Sequence, residues 1–153
     1  MLKFFLALAF VPALVQARTP VRQCNNKAPL PAFVDINGCT SMPCQIRTGE
    51  TFEAVAEGIV VPVATTRLLT YANIRVGLVY VPVPILPELE DACTVALEPG
   101  TCPVTAGQSL TFRVKMEDLE APAMLLPTRV EVGVRTDDGK QVACAQLDVR
   151  IVR

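Results

Sequence analysis

Arg67-Leu68-Leu69-Thr70-Tyr71-Ala72-Asn73-Ile74-Arg75-Val76-Gly77-Leu78-Val79-Tyr80 is the longest unbroken alternating run in the chain. Leu68, Thr70, Ala72, Ile74, Val76, Leu78 and Tyr80 fall on one parity, and Asn73, Arg75 and Gly77 on the other. A period of two rich in β-branched residues predicts a strand with one buried and one wetted face, as in antiparallel sheet. A helical template fits these spacings worse.

Working outward, the same signature returns. Leu110, Phe112, Val114 and Met116 alternate with Thr111, Arg113, Lys115 and Glu117, and Val130, Val132 and Val134 form the inward parity of Arg129 to Arg135. Asp137-Asp138-Gly139 is a hairpin signal, and Ala145, Leu147, Val149 and Ile151 alternate after it. Upstream, Phe33 to Ile36 reads as a short strand before the turn pair Asn37-Gly38, and Thr51 to Val63 as a strand with a bulge near Gly58. This makes about six or seven strands with no convincing helix, which is an all-β sandwich in one domain.

Two apolar segments interrupt the pattern. Val81-Pro82-Val83-Pro84-Ile85-Leu86-Pro87 cannot be a helix or a central strand, because each proline lacks an N–H and fixes its own φ, so it is extended edge or loop. Leu119 to Pro127 holds Pro122 and Pro127 among Leu119, Met124, Leu125 and Leu126. Apolar loops of this kind need cover. Two readings stay open on the residues alone: ordinary core, or the rim of a cavity that accepts an apolar ligand.

The first residues read as a targeting segment. Lys3 precedes the apolar run Phe4 to Val15, and Val15-Gln16-Ala17 fits a small-x-small cleavage site. Residues 1–17 are therefore expected to be a signal peptide and 18–153 the domain. The run is shorter than the ~20 apolar residues that span a bilayer. Cys24, Cys39, Cys44, Cys93, Cys102 and Cys144 all follow it, and an even number in an oxidising compartment reads as three disulfides whose pairing the spacing leaves open. A chain with no histidine and no C-x-x-C pair gives no metal-site signature.

Composition points away from several chemistries. Fourteen basic against 15 acidic residues, a formal net charge of −1, offers no basic face for nucleic acid and no general attraction to anionic membranes. Ser41 and Ser109 are the only serines and have no histidine to activate them. Glu88, Glu90 and Asp91 read as the wetted lip of the proline-rich segment, and Asp137 and Asp138 as turn chemistry. The expectation is a protein that is not an enzyme and uses no cofactor. Half of its residues are hydrophobic (51%) but only 5% are aromatic, so its interior must be filled by small aliphatic side chains.

Cys24, the block Gly38-Cys39 to Pro43-Cys44-Gln45-Ile46 with Gly49, and the run Val81 to Pro84 together resemble the ML lipid-recognition domain family. So do Cys93 to Cys102-Pro103 with Gly107, and Asp137-Asp138-Gly139 leading to Cys144. Within that family the likeness is to the Niemann-Pick type C-two proteins and the mite group 2 allergens. The resemblance implies an immunoglobulin-like sandwich of two antiparallel sheets with a lipid tunnel between them, and the disulfides Cys24–Cys144, Cys39–Cys44 and Cys93–Cys102. Sterol carriers of this type place an aromatic residue after the V-P-V-P run and another after the last cysteine. Here those places hold Ile85 and Ala145, so a fatty acid or other small apolar molecule suits the tunnel as well as a sterol.

The expected lipid-facing residues come from three regions. The long run and the proline-rich segment supply Leu78, Tyr80, Val83, Ile85 and Leu86. The later strands supply Phe112, Val114 and Val132, and the second proline-interrupted segment supplies Leu119, Met124 and Leu126. The function implied is a secreted or lysosomal carrier of a sterol, fatty acid or similar lipid. An alternative is a lipid-sensing module of innate immunity or chemosensing that presents its ligand to a receptor. The partners implied are the lipid and a receptor or membrane lipid-transfer partner, with no nucleic acid, and the expected state is a monomer.

Overall fold

The computed structural model describes residues 18–98 and 100–153, and the expected signal peptide lies outside them. In chain order the elements are β1 (Arg22–Gln23), β2 (Phe33–Ile36), β3 (Cys44–Arg47), β4 (Phe52–Val60), β5 (Leu68–Val76) and β6 (Val79–Val83). They continue with α1 (Pro87–Glu90), α2 (Ala92–Val95), β7 (Ser109–Met116), β8 (Thr128–Thr136) and β9 (Gln141–Val152). One sheet has six strands in the order β1-β9-β8-β5-β6 with β3 also on β9, and the other has three, β2-β4-β7. The two-sheet sandwich expected from the alternation is present. All pairings are antiparallel except β3 with β9, which is parallel.

The largest departure lies in the opening run. Arg67 to Tyr80 is not one strand: β5 ends at Val76, Gly77-Leu78 form a two-residue turn, and β6 returns with Val76 opposite Val79. Gly77 supplies the positive φ (62°) that such a turn needs. Paired residues share a face, so the reversal swaps parity. Val79, Val81 and Val83 now face inward with Val76 and Ile74, and Tyr80 faces outward with Arg75. The proline-rich segment behaves as its chemistry demands, since Pro82 lies in β6 at the sheet edge. The two single-turn helices that follow were not expected. Pro87 can open the first because the first helical N–H has no partner within a helix anyway.

The remaining strands follow their patterns. β4 shifts register between Ala56 and Ile59, which is the bulge expected near Gly58. The disulfides are Cys24–Cys144, Cys39–Cys44 and Cys93–Cys102, the set implied by the family resemblance.

Between the sheets, buried side chains collect in two clusters. One gathers Ile59, Val61, Leu68, Leu110, Phe112, Val134 and Val142 under the α2 segment with Ala92, Ala96 and Leu97. The other gathers Val34, Ile36, Leu147 and Val149 around the Cys39–Cys44 loop, with Phe52, Met124, Val130 and Ala145 against it. On the outer face of the larger sheet, Cys24 joins Cys144 and holds the N-terminal arm over a polar layer. There the buried Glu131 accepts from the Asn25 N–H (3.0 Å) and from the Gln146 amide (3.2 Å).

At the far side of that face, Asp148 accepts from Arg129 Nε at 2.8 Å and also meets Arg22. The Arg129 hydrogen bond, followed by Arg22, holds the Asp148 carboxyl below the usual carboxylate range. A carboxylate lowered by folding stabilises fully above its unfolded-state value and loses that contribution as pH falls through the folded one. Thermal melts from neutral pH down through the carboxylate range should therefore show less acid destabilisation in Asp148→Asn than in the unsubstituted chain. Identical pH profiles would mean that the Arg22–Asp148–Arg129 cluster contributes nothing.

Candidate functional site

One inward position of the larger sheet is less covered than its place in the sheet predicts. Register puts Val83 opposite Ala72, Ala72 opposite Val132, and Val132 opposite Ala145, a row across four strands on the inner face of the larger sheet. β8 is an interior strand, with β9 and β5 on either side. A valine at that position would ordinarily be covered by the facing sheet, about 10 Å away. Val132 is instead 49% exposed and belongs to neither core cluster. Its two partners in the row are alanines, which are too short to screen it.

The neighbouring inward residues share this exposure. Val76 (54%), Val79 (61%) and Val81 (42%) line the β5–β6 margin of the same face. From the smaller sheet, Ala54 pairs with Val114 and Ala56 with Phe112, so that wall is also built partly from small side chains. Full burial of a valine is worth roughly 1.5–3 kcal/mol, of which a half-exposed one forgoes about half. Four such residues make an incompletely covered stretch of this face that is lined by hydrocarbon.

The residues expected to meet a lipid divide by where the backbone takes them. Val83 and Val132 lie in the row itself, Val114 is half-buried on the facing sheet, and Phe112 is buried beside it in the first cluster. Met124 packs on the second cluster. Ile85 is half-buried just past β6, whereas Leu86 is exposed at the start of α1. Leu119 lines an exterior cleft of about 460 Å³ with Thr48, Gly49, Glu120, Ala121 and Pro122, away from the row. Leu78 and Leu126 stand out in solvent at 89% and 74% exposure.

Tyr80 is on the other face. Its hydroxyl accepts from the Gln146 amide at 2.7 Å, which makes it part of the polar layer rather than of the uncovered stretch. The hairpin parity swap is the reason. Val79 and Val81 take its place beside Ala72 and Val76, and Gly77 in mid-alternation is the signal that could have found the two valines of β6.

Polar and titratable groups sit on the outer side of the larger sheet. Tyr71 donates to Gln141 at 2.7 Å, and burial pushes its phenol above the ordinary value. No group of metal-ligating side chains occurs among the described residues. A second exterior cleft of about 410 Å³, between Val95–Glu98 and Gln108–Thr111, also stays clear of the row. What the uncovered stretch itself offers is apolar surface, suited to a guest that gains by leaving water.

Comparison with known proteins follows the same line. Residues 18–151 match the family profile described as ML domain. A Niemann-Pick type C2 protein from Japanese carpenter ant shares the fold with a TM-score of 0.70 at 17% identity, covering 87% of this chain and 99% of that one. Chicken MD-1, solved in complex with lipid IVa, aligns with a TM-score of 0.52 at 16% identity over 85% of this chain and 86% of its own. No curated protein matches by sequence.

Proposed function

The chain belongs to the ML-domain family, and from that premise we propose that it carries a small apolar lipid, a sterol, a fatty acid or a similar molecule, between its two sheets. One observation carries the reading: Val132 is half-exposed at the centre of an interior sheet face. Bringing a lipid tail against that face returns about 25 cal/mol for each Å² removed from water. The gain accrues to both partners, since valine and lipid are desolvated together. Release then requires only an acceptor that solvates the tail equally well. Nothing in this scheme calls for a catalytic group.

The three disulfides support a place of action in an oxidising compartment, outside the cell or in the lysosomal lumen. The alanine at position 145 and the isoleucine at position 85 leave room without fixing a ring system, which favours a flexible chain at least as much as a rigid sterol. Native mass spectrometry of protein secreted from a eukaryotic host should show a lipid adduct, and organic extraction should release it. A protein that is free of adduct and takes up neither a fluorescent fatty acid nor a fluorescent sterol would sink the reading.

A further inference from the structure

The outer face of the larger sheet gathers arginine. On β9, Gln146, Asp148 and Arg150 take the parity opposite to the buried Leu147 and Val149. Arg129 lies opposite Asp148, and Asn73 opposite Glu131, so Arg75 comes beside Arg129 on the same face. Arg22 arrives on the arm that Cys24–Cys144 fastens, opposite Gln146. Four guanidinium groups thus stand across β5, β8, β9 and β1, three inter-strand steps or about 14 Å.

Carboxylates on this face are too few to neutralise them. Asp148 is shared between Arg22 and Arg129. Neither Arg75 nor Arg150 has a carboxylate within ion-pair distance among the described residues. Glu131 is buried, and it is turned to uncharged donors on Asn25, Asn73 and Gln146. Arg75 Nε donates to the Gly77 carbonyl at 2.9 Å and Arg150 donates to the Leu125 carbonyl at 3.3 Å, which steadies both side chains without cancelling their charge. Arg150 Nε, moreover, is buried without a hydrogen-bond partner. In a chain of formal net charge −1, such a surplus on one face is segregation of charge.

What the face lacks narrows the partner. The exposed valines of β5 and β8, Val76 and Val132, both lie on the inner parity, so no large hydrophobic side chain stands exposed among the arginines. A stable protein interface needs an apolar centre, and a bilayer needs side chains that insert. A nucleic acid strand would gain from an open aromatic ring, but Tyr80 is half-buried and tied to Gln146. A linear polyanion lying flat across the strands needs none of these. Guanidinium forks match the oxygens of a sulfate ester, and sulfated polysaccharides are the linear polyanions of the oxidising compartment that the disulfides support. We propose that the outer face of the larger sheet binds a sulfated polysaccharide, with Arg22, Arg75, Arg129 and Arg150 on its sulfate groups. This surface is on the side of the sheet away from the apolar row, so the assignment stands apart from the carrier reading.

Anisotropy of a labelled heparin oligosaccharide, read at rising salt, tests it. Binding is expected, and it should weaken steeply with salt, as when counterions are released from a charged polymer. Arg75→Gln with Arg150→Gln should weaken affinity about tenfold, and Asp148→Asn should strengthen it about threefold by uncovering Arg22 and Arg129. Misfolding cannot produce a gain in affinity, and thermal melts follow each variant. Arg113→Gln with Lys115→Gln removes the same charge from β7 of the smaller sheet and should leave affinity unchanged. No binding by the unsubstituted chain, an equal loss from the smaller-sheet pair, or weakening by Asp148→Asn overturns the assignment. So does equal affinity for desulfated heparin or for a DNA duplex. Flotation with phosphatidylglycerol vesicles that depends on these arginines, in the absence of heparin binding, overturns it too.

Discussion

Val132→Phe is expected to reduce lipid uptake at least about tenfold while leaving thermal stability unchanged or slightly raised. In a filled core the same substitution would force off-rotamer neighbours and cost roughly 1–3 kcal/mol. Here the added ring projects from the middle of the row Val83–Ala72–Val132–Ala145, where Val132 is 49% exposed. It takes apolar surface out of water and also takes the room a lipid tail would use. Stability and affinity thus move independently, which a purely structural valine would not permit. Fluorescent fatty acid titration beside thermal melting reads both quantities. Lost stability with retained uptake would show that the interval is packed and the guest sits elsewhere.

Replacing Cys24 and Cys144 together by serine is expected to remove about 5 kcal/mol of stability, on the chain-entropy estimate for a loop as long as their separation of 120 residues. The same estimate gives about 2 kcal/mol for Cys39–Cys44, which are 5 apart. A domain stable by ~5–15 kcal/mol would lose a third or more of its margin through the first change. The loss has a local side too. Cys144 N donates to the Pro29 carbonyl, and Asn25 N caps the buried Glu131, so the arm that the disulfide fastens also completes the polar layer. Urea midpoints compared across the two double variants test the ordering. A larger shift for the short loop would contradict it.

Much of this architecture was legible in the residues. Alternation marks β7, β8 and β9, the bulge at Gly58 interrupts β4, and the two proline-rich stretches stay out of the sheet interior. The weak point was a single turn. Gly77-Leu78 sits in a run whose parity looks continuous, and reading it as one strand sent Leu78 and Tyr80 inward. Short elements were also missed: Arg22–Gln23 and Cys44–Arg47 are strands only because β9 offers them an edge. So were α1 and α2, each a single turn and too short to show a helical period.

By itself the amino-acid sequence determined that the chain is a β-sandwich with disulfides, apolar within and polar without, because period and cysteine chemistry are local properties of the residues. Which inward valine stays uncovered was decided only in three dimensions. It depends on which residues of distant strands become neighbours, on a hairpin that reverses parity, and on a three-stranded sheet that fails to cover a wider one. An alanine looks the same in any strand; only the register that sets Ala72 and Ala145 on either side of Val132 leaves that valine uncovered.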